Sequence, residues 1–201
     1  RVALQTVLQM IAVSAQELIP AAQKAVIHLW DEEGQTLTAQ TVIGYENAAS
    51  SQLRMRHNEG VAGQVIASGE TVSIADIEKD GRFIIHGDSP KFRSLMVAPV
   101  QSGERKLGTI SVQSDLVGAF TEEDSRLLSV LGAQAAAAIE NAHLLETIQQ
   151  SLKEVDALYR ITRELAASLD ADQLMQEVVD LLQNIFHYYH ASIFIIDPET
   201  E

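Results

Sequence analysis

Apolar residues at the start of the chain recur at the spacing of a helix. Six of them are separated by one, three or four positions: Val7, Leu8, Ile11, Ala15, Leu18 and Ile19. This spacing predicts an amphipathic helix that ends or bends at Pro20. The segment that follows, 25–45, alternates as two strands around a turn at 31–34. Both alternating sets of side chains in the first strand are bulky, so we expect a central strand covered on both faces of its sheet.

The middle of the chain predicts one short helix and three further strands. Gly60 and Gly69 bracket a short apolar helix, and a strand follows over 71–75. The polar, glycine-containing segment 76–90 predicts a long loop with one helical turn. Two more strands are predicted around a polar hairpin turn, at 94–100 and 107–113.

A long helix without a breaker comes next. Thr121 and Asp124 have the spacing of a helix N-cap, and the helical pattern continues from Glu122 to about Ser168. A heptad seam occupies its second half: Leu145, Ile148, Leu152, Val155, Tyr159, Thr162, Ala166 and Leu169. An upstream stripe joins that seam near Leu145: Leu128, Leu131, Ala135, Ala138 and Ala142. We expect this helix to form a dimeric coiled coil of modest strength.

The pattern after Asp170 repeats the beginning of the chain. A second amphipathic helix is followed by an apolar run, 191–197, that matches 25–31 at a constant separation. The sequence therefore predicts a first domain over 1–145, a coiled-coil linker helix over 146–169 and the truncated N-terminal part of a second, similar domain over 170–201. Since the chain starts without Met and stops just after the apolar run, we expect a fragment of a longer protein.

Composition limits the partners and the chemistry that this chain supports. Its 201 residues include 28 acidic and 14 basic side chains, which gives a formal net charge of −14. Such a surface repels phosphate backbones and anionic lipid, so we expect neither nucleic acid nor membrane partners. There is no cysteine, which fits the reducing cytoplasm. The polar residues form no catalytic or metal-binding motif, so we expect no enzymatic activity, no catalytic residue and no metal in this region.

Four stretches together resemble the GAF domain family of small-molecule sensing modules. They are NEGVAGQVIASGE with the following TVSIAD (58–76), RSLMVAPV (93–100), KLGTISV (106–112), and GAFTEED (118–124) leading into the long helix. The resemblance implies an α+β fold, a GAF-like central antiparallel sheet with helices on both faces, followed by a long connecting helix. In this family the first and last helices pack on one face. Loops and short helices cover a ligand cavity on the other.

The resemblance implies a regulatory role. GAF domains commonly lie upstream of histidine kinases, cyclases or similar output domains, joined to them by helices. We therefore expect the sensor region of a multi-domain signalling protein, a histidine kinase of a two-component system. This region would bind an unknown small ligand and pass the signal through a homodimeric helix. The alternative is a ligand-free GAF module that serves dimerisation and protein interaction.

Candidate ligand-binding residues lie around the cavity that the resemblance implies: His28, Trp30, Tyr45, Asp76, Phe83, Arg93, Ser94 and Met96. Trp30 and His28 share one face of the first strand. There, Trp30 would stack on a planar ligand and His28 would sense its polarity. The other interpretation is that both are ordinary core residues.

The other candidates also have two interpretations each. Asp76, Arg93 and Ser94 lie where the family's cavity is roofed, and Arg93 would clamp a carboxylate or phosphate. Alternatively Arg93 pairs with Asp76 or Asp80 and holds the loop. The remaining three would line the cavity or fill the core: Tyr45, Phe83 and Met96.

Some ligand types known in this family are not expected here. Phytochrome-type chromophore attachment and the methionine sulfoxide reductases of this fold work through cysteine, which the chain lacks. Cyclic-nucleotide-binding members carry an Asn-Lys pair before a Phe-x-x-x-Asp-Glu motif. Here Gln113 and Ser114 stand near the place of that pair, and Ser125 follows Asp124. The identity of the ligand therefore stays open.

Overall fold

The structure is a computed structural model that describes residues 2–45, 55–56, 59–84, 92–168, 171–186, 190 and 192–193. The chain divides into two units, Arg1–Leu145 and Glu146–Glu201. In chain order its elements are α1 (Val2–Leu18), β1 (Lys24–Asp31), β2 (Thr36–Ile43), β3 (Met55–Arg56), α2 (Gly60–Ser68), β4 (Val72–Ile74), β5 (Ser94–Ser102), β6 (Arg105–Ser114), α3 (Glu122–Ser168) and α4 (Ala171–Phe186).

The strands of the first unit form a six-stranded sheet in the order β3-β2-β1-β6-β5-β4. Every neighbouring pair is antiparallel. β1 lies in the interior between β2 and β6, as its two bulky sets of side chains predicted. β5 and β6 form the predicted hairpin, and their pairing extends to Ser102 and Arg105 at the turn.

One face of the sheet, here called the α1/α3 face, packs against α1 and the first part of α3. The apolar residues of its strands include Ile27, Met96 and Ile110. The helices contribute a matching set: Leu8, Ile11, Ala12 and Ala15 from α1, and Leu128, Leu131, Ala135, Ala136 and Ile139 from α3. Burial of this continuous apolar layer is the main source of the domain's stability.

The opposite face, here called the α2 face, packs against α2. Val61, Val65 and Ile66 of α2 contact a cluster that includes Leu95 and Val97 of β5. Alternation along a strand directs these two residues away from Met96, which lies between them. The predicted arrangement of helices on both faces of an antiparallel sheet is therefore confirmed.

The long helix forms as predicted, and its start is capped. The hydroxyl of Thr121 accepts a hydrogen bond from the backbone N–H of Asp124 at 3.2 Å, and the Asp124 carboxylate accepts one from the backbone N–H of Thr121 at 2.8 Å. This reciprocal pair satisfies groups that a helix N-terminus otherwise leaves unpaired. α3 then continues without interruption to Ser168.

The apolar stripe in the first half of α3 has a different use from the one predicted. Leu128, Leu131 and Ala135 are buried in the domain's own core, so they are not free to extend the intermolecular seam upstream. From Leu145 onward the apolar seam residues are more than half exposed: Leu145, Ile148, Leu152, Val155 and Tyr159. Any seam available to a partner helix therefore begins near Leu145.

The second unit contains the second half of α3 and the helix α4. The amphipathic pattern after Asp170 predicted α4, which is confirmed. The strand predicted over 191–196 lies largely outside the described residues. The existence of a second GAF copy thus stays a prediction from the sequence.

Close contact between α3 and β5 depends on Gly132. A Cβ atom at this position would lie 2.4 Å from the carbonyl oxygen of Pro99, well inside van der Waals contact. The backbone oxygen cannot move without displacing β5, so only glycine lets the helix approach the sheet this closely.

We predict that Gly132→Ala destabilises the domain although alanine favours helix formation. The clash with Pro99 should outweigh the gain in helix propensity and lower the free energy of unfolding by about 1–3 kcal/mol. Chemical denaturation measures this. Gly81→Ala is the control, because a Cβ there meets nothing within 4 Å. A Gly132→Ala protein as stable as the wild type would show that α3 packs less closely.

Candidate functional site

The α2 face carries a row of polar residues on the central strand β6. Thr109, Ser111 and Gln113 alternate with Ile110 and Val112, which point to the α1/α3 face. All three polar residues are buried, with exposed fractions of 0%, 5% and 8%. On the other side of β6, the corresponding central residues Ile110 and Val112 are apolar and pack in the core. The polar row therefore marks this face as the candidate binding surface.

β1 places His28 and Trp30 on the same face. His28 lies directly opposite Thr109 in the β1–β6 pairing, and Trp30 lies opposite Leu37 in the β1–β2 pairing. The prediction that His28 and Trp30 share a strand face is confirmed. The pairing of β1 with β2 shifts by one residue between Ile27 and His28, a bulge of the kind found beside functional sites.

Two buried polar atoms on the α2 face of this strand pair have no hydrogen-bond partner. They are Nδ1 of His28 and Oγ1 of Thr109, both buried. Ser111, next along the row, donates from its hydroxyl to the carbonyl oxygen of Val26 at 3.4 Å. Each unpaired buried group costs about 1–3 kcal/mol, so proteins rarely keep two of them side by side without a use.

Burial sets the charge of His28. Loss of solvation lowers its pKa from 6.5 to about 4, because the imidazolium form would lose its hydration without gaining a counter-charge. His28 is therefore neutral at pH 7, and its ring carries one hydrogen-bond donor and one acceptor.

Because Gly108 has no side chain, β1 and β6 can approach each other closely at this point. A Cβ atom on Gly108 would lie 2.0 Å from the carbonyl oxygen of His28 and 3.2 Å from the Cα of Leu29. Any side chain there would push β1 away from β6. The close spacing of His28 and Thr109 is thus built into the backbone.

Tyr45 lies at the other end of the polar row. Its hydroxyl donates to Oε1 of Gln113 at 2.5 Å. Burial raises the pKa of Tyr45. The Lys24 ammonium lies 5.3 Å from the centre of the Tyr45 ring and 5.9 Å from that of Phe92, within cation–π range.

Phe83 packs at the edge of the α2 face. Its ring meets Phe92 edge to face, with the centroids 5.6 Å apart. Both belong to the apolar cluster under α2. Phe83 therefore packs against the core of the α2 face, and its predicted contact with a ligand stays a prediction.

The guanidinium of Arg93 forms ion pairs with two carboxylates of the same chain. Its Nη2 lies 3.0 Å from Oδ2 of Asp76 and 3.2 Å from Oε2 of Glu78. Burial favours the neutral form of Asp76, but hydrogen bonds from Arg93 and from the backbone N–H of Glu78 outweigh it and lower the pKa of Asp76. Of the two roles predicted for Arg93, the structure shows the ion pair with Asp76. Asp80, the other predicted partner, pairs with Arg82.

Met96 and Ser94 lie on the opposite side of the sheet from His28. Met96 pairs with Val112 and is fully buried in the core of the α1/α3 face. Ser94, two residues before Met96, lies on the same face and is buried with a hydroxyl that has no hydrogen-bond partner. Grouping these two residues with His28 and Trp30 was wrong, because every residue of 94–100 is apolar or small and the sequence alone does not reveal which set faces which layer.

Thr109, Ser111 and Gln113 were missed in the sequence. The signal that could have found them is the strict alternation of polar and apolar residues in a strand predicted to be central. Polar residues on one face of a covered strand need partners. Reading that face as ligand-directed also requires the β1–β6 pairing, which joins residues far apart in the chain.

Comparison with known proteins identifies the family. A sequence profile described as the GAF domain matches residues 2–140. The dual 3′,5′-cyclic-AMP and -GMP phosphodiesterase 11A of Takifugu rubripes is 23% identical over 155 residues, 74% of this chain and 17% of that protein. The chain thus spans a small part of that relative.

Solved structures share the fold. The GAF domain of an Acinetobacter phosphoenolpyruvate-protein phosphotransferase superposes with a TM-score of 0.63 and 24% identity, covering 73% of this chain and 87% of that one. The type II free methionine-R-sulfoxide reductase of Thermoplasma acidophilum gives a TM-score of 0.59 and 17% identity, covering 69% and 93%.

The chain belongs to the GAF domain family. GAF domains are regulatory sensor domains of signalling proteins, generally without catalytic activity, although some proteins of this fold, such as the reductase, are enzymes. They bind small ligands and often dimerise. Within the described part of the chain, no helix has the length and apolar character needed to cross a membrane. Across the same residues, no three His, Asp or Glu side chains converge to hold a metal ion.

We predict that His28 makes folding stability depend on pH between 6.5 and 4. The unfolded chain protonates this histidine near pH 6.5 and the folded domain only near pH 4, so stability is fully present above pH 6.5 and falls as the pH drops toward 4. The loss should reach about 3 kcal/mol. Urea unfolding across this range measures it.

The matched variant for this prediction is His28→Phe, which keeps a flat ring and removes the titration. Its stability should fall less than that of the wild type over the same interval. All other ionisable groups are common to both proteins and cancel in the difference. Equal pH slopes would mean that His28 is not desolvated in the folded domain.

Proposed function

We propose that this chain is the sensor region of a multi-domain signalling protein and that a small ligand binds on the α2 face of its sheet. The observation that carries the proposal is the buried, unpartnered pair of His28 Nδ1 and Thr109 Oγ1. A ligand that hydrogen-bonds both atoms would recover the free energy that their burial costs. Membership of a family that binds small ligands supports the same conclusion.

The ligand-free alternative accounts less well for this face. A module that served dimerisation alone would gain stability from an apolar strand surface on both sides of the sheet. Buried polar residues of the α1/α3 face lie at Thr41, Ser94 and Ser114, apart from its central layer of Ile27, Ile110 and Val112, whereas the α2 face buries Thr109, Ser111 and Gln113 beside His28 on the central strands. The difference between the two faces favours ligand binding.

A direct link between the α2 side and α3 offers a route for the signal. The hydroxyl of Thr71, between α2 and β4, lies 2.8 Å from the hydroxyl of Ser129 on α3. Because Ser129 donates its proton to the carbonyl oxygen of Ser125 at 2.8 Å, Thr71 is the donor in this contact. If ligand binding moves α2 and the adjoining Thr71, this hydrogen bond would transmit the movement to α3.

A second copy of the chain is the partner proposed for the exposed half of α3. The heptad seam from Leu145 to Tyr159 is more than half exposed and has the spacing for self-pairing. In a parallel, in-register pair, Ser151 would face Asp156 and Leu158 would face Arg163. The flanking positions therefore avoid like-charge contacts despite the net charge of −14.

The output of the proposed sensor lies in the rest of the signalling protein. We propose a histidine kinase of a two-component system in the cytoplasm as the output, with a second GAF copy beginning after Asp170. The sequence match between 25–31 and 191–197 supports the tandem arrangement. The small share of the phosphodiesterase that the chain covers fits a module within a larger protein.

We predict that protein purified from its own host carries a bound small molecule. Native mass spectrometry should give a mass above that of the chain, and the His28→Phe/Thr109→Val double variant should lose the excess. Thr41→Val, a buried threonine of β2 on the other face of the sheet, is the matched control and should keep it. A wild-type protein whose measured mass equals that of the chain alone would contradict ligand binding.

We also predict that the chain is a dimer held by the second half of α3. Replacing Ile148 and Leu152 with Gln keeps helix propensity but removes two buried apolar contacts per chain, so the dimer Kd should rise about a hundredfold or more. Sedimentation equilibrium measures this. Ala157→Gln, away from the seam, should leave the Kd unchanged. A monomeric wild type, or a double variant that still dimerises equally well, would contradict the helical dimer.

A further inference from the structure

The unpartnered pair restricts the chemistry of a ligand that would bind it. Given the ligand-binding function proposed above, we infer that the ligand is an uncharged planar heterocycle whose hydrogen-bonding edge meets His28 and Thr109 and whose ring lies against Trp30. The following steps derive the position, the polarity and the charge of this ligand from the described residues.

The position follows from the sheet. His28 and Thr109 are direct neighbours across two central strands, so their Cβ atoms lie about 4.5–5.5 Å apart. Trp30 is two residues further along the same face of β1, about 7 Å away. Its indole is half-buried and packs partly on the apolar cluster under α2. A flat ligand of one or two rings spans this distance.

The polarity follows from the two free atoms. Neutral imidazole carries one donor and one acceptor, and a threonine hydroxyl can act as either. Together they match an edge that offers a hydrogen-bond acceptor and a donor side by side, such as the carbonyl and N–H of a cyclic amide. An apolar ligand would leave both atoms unpaired and gain nothing from them.

The charge follows from the surroundings of the pair. The nearest described residues on the α2 face are uncharged: Val26, Trp30, Pro99 and Ser111. Lys24 is four residues back along β1, about 13 Å from His28, with its ammonium over Tyr45 and Phe92. The Arg93 guanidinium is occupied by Asp76 and Glu78. Among the described residues, an ionised ligand beside His28 would thus lose its hydration without meeting a counter-charge.

The test compares neutral heterocycles with relatives that carry a carboxylate. Uracil and nicotinamide are neutral planar heterocycles with an amide edge, and orotate and nicotinate are their carboxylate counterparts. Uracil and orotate share the same cyclic amide edge, so this pair tests the charge, whereas nicotinate also lacks the amide of nicotinamide. The full 201-residue chain, labelled with ¹³C and ¹⁵N in histidine, is titrated with each probe at pH 7, and the His28 ring signals are followed by NMR. We expect a neutral probe to shift these signals saturably and its anionic counterpart to leave them unchanged.

Variants then assign the contact. Thr109→Val removes one hydroxyl at constant shape and should weaken binding of the neutral probe about three- to tenfold. The control Thr41→Val makes the same change to a buried threonine on the opposite face and should leave binding unchanged. In the ligand-free protein Thr109→Val should keep or raise the Tm, because the lost hydroxyl has no partner. A lower affinity with an undiminished Tm separates a ligand contact from a structural role.

The outcomes that overturn the inference are distinct from those that overturn ligand binding itself. Saturable shifts with orotate or nicotinate as strong as with the neutral probes would reject the uncharged class and leave the binding face intact. Neutral probes that bind equally well to Thr109→Val would reject the proposed contact. No shift of His28 by any of the four probes would also reject the inferred ligand class. The mass-spectrometry experiment decides independently whether a ligand is present.

Discussion

The pairing of β1 with β6 is the contact on which the rest of the domain depends. It joins two halves of the sheet, β3-β2-β1 and β6-β5-β4, that come from separate stretches of the first unit, 24–56 and 72–114. The pairing is close because Gly108 has no side chain to meet the carbonyl oxygen of His28. One ladder of hydrogen bonds therefore brings His28 beside Thr109 on one side. On the other side it aligns Ile27 with Ile110 in the core.

The two faces of this central pair have different physical roles. The face toward α1 and α3 buries apolar side chains and stabilises the fold. The face toward α2 buries polar groups, two of which lack partners, and this costs stability. Proteins keep such unfavourable groups at functional sites, where another molecule satisfies them. A single strand pair thus combines a structural layer with a binding surface, since side chains alternate between the two.

Patterns within a few residues of one another were readable from the sequence, and patterns that depend on distant pairing were not. The helix spacing, the hairpin of β5 and β6 and the Thr121 cap are local, and all three are confirmed. The face of the sheet on which Met96 lies is not a local property. The neighbours of Met96 are apolar on both sides, so only the packing of α1 and α3 decides which face each residue occupies. The role of Arg93 also depended on a partner in a separate loop, Asp76. The lack of a hydrogen-bond partner for the Thr109 hydroxyl could not be inferred before the position of His28 was known.

The uninterrupted course of α3 has a consequence for how this architecture can change during evolution. Each residue of an α-helix contributes about 100° of rotation and 1.5 Å of rise. Inserting one residue after Leu145 would turn everything beyond it by more than a quarter of a circle and shift the apolar seam out of phase. An insertion of seven residues would restore the phase almost completely. Natural variation in the length of this segment should therefore occur in steps of whole heptads, while its exposed polar residues are free to diverge.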